Sequence, residues 1–135
     1  MKIVHCLPIF ILTLLAFSSS AQNPTDTLLT AQAFNKALHS LSEKQIIDVR
    51  TPEEFKSGHL HGALNINFYD EDFSEQLQKL DKDKPVLVYC RSGKRSGKAT
   101  EQLQKLSFKT IFDLKGGITA WKEAELPLFV EPEIK

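Results

Sequence analysis

Val86-Leu87-Val88-Tyr89-Cys90-Arg91-Ser92-Gly93-Lys94-Arg95-Ser96 joins an unbroken apolar run to a polar turn, after which Ala99, Leu103 and Leu106 recur at helical spacing. Consecutive apolar residues without alternation describe a strand covered on both faces, the situation of a parallel sheet between helical layers. The stretch therefore reads as strand, turn and helix start. On either side the same alternation continues. Ala33, Phe34, Ala37, Leu38 and Leu41 follow i, i+4 and i+7 spacing behind Thr30, a residue type suited to an N-cap. Ile46-Ile47-Asp48-Val49 is a short β-branched strand. Pro52 at a first helical position, with Glu53 and Glu54 in the first turn, opens a short helix ending at Gly58. Ala63 to Phe68 alternates as a strand, and Phe73, Leu77 and Leu80 form a helical stripe stopped before Pro85. Thr110 to Leu114 is another strand, and Gly116-Gly117 precedes a short helix carrying Ile118 and Trp121. Strands alternating with helices specify an α/β layer structure with a largely parallel sheet, in which ligands bind where strands end and helices begin.

The chain has 135 residues, enough for one domain core and not two. Seventeen basic and 17 acidic residues balance, which argues against a strongly basic nucleic-acid binder, and 41% hydrophobic with 25% charged residues is a globular composition. The first 21 residues stand apart. Lys2 is their only charge, Ile3 to Phe17 is an apolar run, and Ser18-Ser19-Ser20-Ala21 supplies small residues. This is the order of a secretory signal peptide cleaved after Ala21, on a run too short for a comfortable membrane span. The expected organisation is a signal peptide over 1–21, a linker over 22–28, one domain over 29–131 and a tail over 132–135. The mature protein is then periplasmic or otherwise exported, with no membrane attachment. Cys6 leaves with the signal, so Cys90 becomes the sole thiol and no internal disulfide can form.

What surrounds that thiol decides how it is read. A strand, a tight turn and a helix N-terminus leave several backbone N–H groups without partners and aim them at one point, which attracts anions. The helix dipole adds partial positive charge, and Arg91, Lys94 and Arg95 place three cations within five residues of the sulfur. Each of these favours thiolate over thiol. Arginine usage sharpens the pattern. The chain has three arginines against 14 lysines, and two of the three are Arg91 and Arg95. Oxyanion recognition calls for the guanidinium fork, whereas a merely solvated face draws on lysine. The expectation is a nucleophilic sulfur standing at the mouth of an anion-binding cradle, open to solvent.

Cys90-Arg91-Ser92-Gly93-Lys94-Arg95-Ser96 resembles the active-site loop of the rhodanese-type sulfurtransferases. Ile47-Asp48-Val49-Arg50-Thr51-Pro52-Glu53-Glu54-Phe55, followed by Gly58-His59-Leu60-His61-Gly62-Ala63-Leu64-Asn65-Ile66, is similar to the family's N-terminal signature. Asp113-Leu114-Lys115-Gly116-Gly117-Ile118-Thr119-Ala120-Trp121 is similar to its C-terminal one, so the resemblance spans roughly Leu29 to Val130. It implies one domain built on a parallel five-stranded sheet flanked by helices on both faces. It also implies sulfane-sulfur transfer through a persulfide on Cys90, from a small anionic donor such as thiosulfate to cyanide or a thiol, including a thiol on a partner protein. Arg91, Lys94 and Arg95 would then orient the donor. Ser92, Gly93 and Ser96 would shape the loop, Gly93 by allowing close backbone approach and Ser96 by capping the helix. No metal or organic cofactor is required.

Competing readings are set by spacing and composition. Tyrosine phosphatases and their rhodanese-like dual-specificity relatives place five residues between cysteine and arginine, whereas here four separate Cys90 from Arg95 and Ser96 holds the next position, which weighs against phosphatase or arsenate reductase activity. The shorter loop suits a sulfur atom better than a tetrahedral phosphate. A second class of function is a binding or sensing module whose thiolate takes up sulfur, or is oxidised, with little turnover. Asp48 and Arg50, two apart at a strand end, face the same side and read as a buried ion pair supporting the loop. His59 and His61 lack the further thiols and carboxylates a zinc site needs. Glu53-Glu54 reads as a solvated helix start, and Phe55, Tyr89, Phe112 and Trp121 as core.

Overall fold

The computed structural model describes residues 25–132. The signal peptide expected over 1–21, its cleavage point, Cys6 and residues 133–135 of the tail lie outside the described residues. Along the chain run β1 (Thr25–Leu29), α1 (Ala31–Ser40), β2 (Gln45–Asp48), α2 (Pro52–Lys56), β3 (Leu64–Asn65), α3 (Phe73–Gln78), β4 (Val86–Tyr89), α4 (Lys94–Lys105), β5 (Thr110–Leu114) and α5 (Gly117–Glu123). The five strands form one parallel sheet in the order β1-β5-β4-β2-β3. The apolar β4 lies at its centre, and every residue of that strand is buried. Chain order reverses beside β4, since β2 leads outward to β3 on one side while β4 leads to β5 on the other. The carboxyl ends of β2 and β4 therefore meet at the switch point where such sheets place ligands.

Side chains alternate across each strand, and the core divides accordingly. Ile47, Val49, Val86, Val88 and Ile111 face one layer with Phe73 and Leu77 of α3 and Ala99 and Leu103 of α4. Leu87, Tyr89 and Leu114 face the other with Phe34 of α1 and Ile118 and Trp121 of α5. Each fully buried aliphatic or aromatic side chain contributes about 1.5–3 kcal/mol against exposure, and this double layer fixes the strand ends in place. Thr30 caps α1 through an N–H bond from Ala33 to its hydroxyl at 3.3 Å.

Two expectations are corrected here. The segment read as linker through Leu28 is strand from Thr25, paired with β5 from Thr25↔Thr110 to Leu29↔Leu114, so the domain begins before residue 29. Its Thr-Asp-Thr opening carries no apolar signal, because an edge strand has little core to cover. The strand read over Ala63–Phe68 is reduced to Leu64–Asn65. Beyond it N–H bonds run from Ile66 to the Asp48 carbonyl (3.0 Å) and from Phe68 to the Val49 carbonyl (3.1 Å), just past the end of β2.

Candidate active site

The turn from β4 into α4 is built around a glycine. Gly93 is the N-cap of α4 at φ +98°, a backbone region that residues with a Cβ rarely adopt, and no side chain caps this helix. Ser96, expected as the cap, instead lies buried in the first turn and donates from its hydroxyl to the Gly93 carbonyl at 3.2 Å. The first-turn amides of α4 have no carbonyl of their own helix to bond. Gly93 itself donates its N–H to the Cys90 sulfur at 3.1 Å.

The loop is gripped from outside by α5. Ile118 donates its N–H to the Cys90 carbonyl at 2.8 Å, and Thr119 donates both its N–H (3.1 Å) and its hydroxyl (3.0 Å) to the Arg91 carbonyl. In a trans peptide the C=O and N–H point in opposite directions, so anchoring these two carbonyls on α5 turns the N–H groups of Arg91 and Ser92 away from it. Close approach is what permits this. A Cβ on Gly117 would sit 2.5 Å from the Cys90 and Arg91 carbonyl oxygens. The Gly116-Gly117 pair was visible in the sequence, but its role in setting amide orientation was not.

The four cations near the switch point fall into two pairs. Arg50 is buried with Asp48: its Nε donates to both carboxylate oxygens (2.9 and 3.0 Å), and Nη2 donates to Oδ2 at 2.6 Å and to the Gly58 carbonyl at 2.8 Å. Burial works against the Arg50 charge, but the Asp48 hydrogen bonds and charge outweigh it and raise its pKa further. Asn65 donates to the carbonyls of Asp48 and Arg50, closing this strut beneath the loop. Arg95 is clamped by Glu54 in a fork, Nη1 to Oε2 and Nη2 to Oε1, both at 2.8 Å. The Arg95 bonds hold the Glu54 carboxyl down to about 2, overriding partial burial, with the Thr51 N–H adding to the effect. Glu54 is therefore not a solvated helix start, and the Arg95 guanidinium it pairs with lies over the exposed Tyr69 ring, 5.6 Å from its centroid. Arg91 and Lys94 are exposed and have no ion-pair partner among the described residues.

One expectation about the sulfur is overturned. Cys90 is 1% exposed and does not stand at an open mouth. It continues the inward alternation of Val86 and Val88 and packs in the layer that holds Ala99 and Leu103. The loop closes over it with the Gly93 N–H in contact.

His59, weighed as a metal ligand, is buried in an aromatic seam. Its ring stacks on Phe55 at 3.7 Å and its Nδ1 bonds the Phe55 carbonyl at 2.9 Å, while its backbone pairs with Phe129. Among the described residues no helix is long and apolar enough to cross a membrane.

Comparison with known proteins places this geometry. Residues 30–124 match the family model of the rhodanese-like domain. The chain is 42% identical over 77 residues to the uncharacterised protein YqhL of Bacillus subtilis, a match that takes in 57% of this chain and 60% of that one. It is 36% identical over 80 residues to the thiosulfate sulfurtransferase GlpE of Shewanella oneidensis, covering 59% of this chain and 77% of the relative. A sulfurtransferase of Allochromatium vinosum is 30% identical over 105 residues, covering 78% and 95%. Among solved structures, a rhodanese-related protein from Thermoplasma volcanium superposes with a TM-score of 0.69 at 30% identity, over 78% of this chain and 99% of that one.

Proposed function

The chain belongs to the rhodanese-like domain family, and on that premise we propose that it is an exported sulfurtransferase, with Cys90 carrying sulfane sulfur from a small anionic donor such as thiosulfate to cyanide or a thiol. The observation that carries the reading is the Gly93 N–H on the Cys90 sulfur at 3.1 Å, in a loop whose carbonyls α5 holds outward. A structural core cysteine has no need of an amide donor, a glycine at positive φ or an uncapped helix start directed at it.

In the first half-reaction the Cys90 thiolate attacks the outer sulfur of thiosulfate. The new S–S bond forms on Cys90 as the old one breaks, and sulfite leaves with the electron pair. The persulfide keeps one negative charge, which the Gly93 N–H at the Cys90 sulfur is placed to stabilise. In the second, the acceptor takes the outer sulfur and returns the electron pair to Cys90. Arg91 and Lys94, both exposed and unpaired among the described residues, supply the attraction for the donor, and Arg95 contributes through the clamp with Glu54. The 1% exposure of Cys90 makes access the constraint, which favours a donor that presents a slim terminal sulfur.

That same burial favours a second reading, a low-turnover sulfur carrier or redox-sensing module that loads once and passes its sulfur to a partner protein. Steady-state thiocyanate formation from thiosulfate and cyanide separates the two. Continuous, Cys90-dependent turnover that vanishes in Cys90→Ser supports the enzyme. Loading of one sulfur without continued product formation supports the carrier, and no Cys90-dependent product from any sulfane donor removes both.

A further inference from the structure

The first turn of α5 brings two backbone donors and one side-chain donor to the Cys90 loop. Every α-helix begins with N–H groups that its own carbonyls do not reach, and in α5 those of Ile118 and Thr119 end on the Cys90 and Arg91 carbonyls, at 2.8 and 3.1 Å. Backbone pairing alone satisfies both sides. The Thr119 hydroxyl adds a third bond, to the Arg91 carbonyl at 3.0 Å from 28 positions along the chain. That carbonyl thus receives two donors, as many as its lone pairs accept, whereas the Cys90 carbonyl receives one. Thr119 is exposed, so its hydroxyl has water as an alternative partner and burial does not demand the bond.

The Arg91 carbonyl and the Ser92 N–H are the two ends of one trans peptide and point in opposite directions. The Ser92 N–H accordingly faces away from α5, and it donates to no group among the described residues. A hydrogen bond accepted at one end of a peptide polarises the other, strengthening a bond made there by about 10–30%. Two donors on Arg91 also fix the plane in which the Ser92 N–H lies. In the unloaded protein the Gly93 N–H bonds the Cys90 sulfur itself. Loading moves charge outward: the Cys90 thiolate takes the outer sulfur of thiosulfate, one S–S bond forms as another breaks, and sulfite departs with the electron pair. The negative charge then rests one atom beyond the sulfur that Gly93 holds.

We infer that the Thr119 hydroxyl is a positioning group for the persulfide, orienting and polarising the Arg91–Ser92 peptide so that the Ser92 N–H donates to the outer sulfur. The inference rests on the sulfurtransferase reading and adds to that site a residue that touches neither sulfur. Its effect falls on how completely Cys90 loads, because the Ser92 bond exists in the persulfide and not in the free thiolate.

The test equilibrates the full chain with thiosulfate and sulfite at a series of ratios and reads the loaded fraction from the gain of about 32 Da. Thr119→Val keeps the branched shape and the backbone N–H but loses the hydroxyl, whereas Thr119→Ser keeps the hydroxyl. Thr119→Val is expected to need an about threefold higher ratio of thiosulfate to sulfite for half loading, at an unchanged urea midpoint, and Thr119→Ser to stay within a factor of about 1.5 of the wild type. An unchanged ratio in Thr119→Val, a shift that Thr119→Ser shares, or a Thr119→Val chain that no longer folds overturns the inference. If Cys90 loads in no variant, the sulfurtransferase reading fails by itself. The hold on the peptide is then read in unloaded protein from the Ser92 amide nitrogen resonance: upfield movement in Thr119→Val with the wild-type position in Thr119→Ser supports it, and an unmoved resonance overturns it.

Discussion

The helix starts at α2 and α4 solve the same problem in opposite ways. At α2, Thr51 accepts the Glu54 N–H at 3.3 Å and Glu54 accepts the Thr51 N–H at 3.0 Å, a closed capping box behind Pro52. Side chains thus satisfy the N-terminal amides within the segment. At α4 the N-cap is Gly93, no side chain caps it, and the Gly93 N–H bonds the Cys90 sulfur instead. Both helices follow neighbouring strands of the same sheet. The difference teaches that the end beside Cys90 is the one the fold leaves without a side-chain cap, and that the capped end is tied to it. Glu54, already part of the box, spends its remaining capacity holding Arg95 of α4.

The largest effect is expected where the open end is held from outside. Gly117→Ala places a methyl 2.5 Å from three backbone atoms of Cys90 and Arg91, so the loop and α5 have to separate. The expected cost is about 3 kcal/mol or more by chemical denaturation, with loss of sulfur uptake by the folded fraction. A variant that kept wild-type stability and loading would break the comparison. Gly93→Ala comes next. Its Cβ meets only the Gly116 nitrogen at 3.6 Å, so the penalty is the φ of +98°, about 1–3 kcal/mol, and the uptake rate should fall as the Gly93 N–H moves off the sulfur.

Cutting the link between the two ends is milder. Glu54→Gln removes a partly exposed ion pair and is expected to cost about 1 kcal/mol at neutral pH in urea melts. Its pH signature is more telling. Because the folded Glu54 carboxyl sits at about 2 rather than at 4.5, the pair's contribution is complete above 4.5 and is lost as pH falls from there toward 2. Glu54→Gln should flatten stability against pH in that window, and an unchanged acid slope would contradict the clamp. Smallest is Thr51→Ala at the closed end, about 1 kcal/mol from the lost cap with kcat/KM near that of the wild type. A large kinetic defect there would show that the two ends do not divide their tasks as described.

The strand-turn-helix at Cys90 and the α/β alternation were legible because their signals are local: an unbroken apolar strand, a glycine and helical spacing within a few residues of one another. β1 was not, since its opening Thr25-Asp26-Thr27 carries no apolar residue to mark a strand. The Glu54–Arg95 clamp joins residues 41 positions apart, and nothing in either segment marks the other as its partner. The burial of Cys90 was hidden differently. Its polar neighbours Arg91 and Ser92 suggest an exposed turn, but strand alternation carries the Cys90 side chain inward behind Val88 before the chain turns out. Apart from the Thr119 hydroxyl, the groups that hold the loop carbonyls are backbone N–H donors, which side-chain patterns do not report.

Intact-mass measurement of the full chain after incubation with thiosulfate, followed by addition of cyanide, bears most directly on Cys90 as a sulfur carrier in an amide cup. The predicted result is a gain of about 32 Da, absent from Cys90→Ser, that disappears on cyanide addition with one equivalent of thiocyanate released. No gain, or a gain of the same size in Cys90→Ser, would contradict the account.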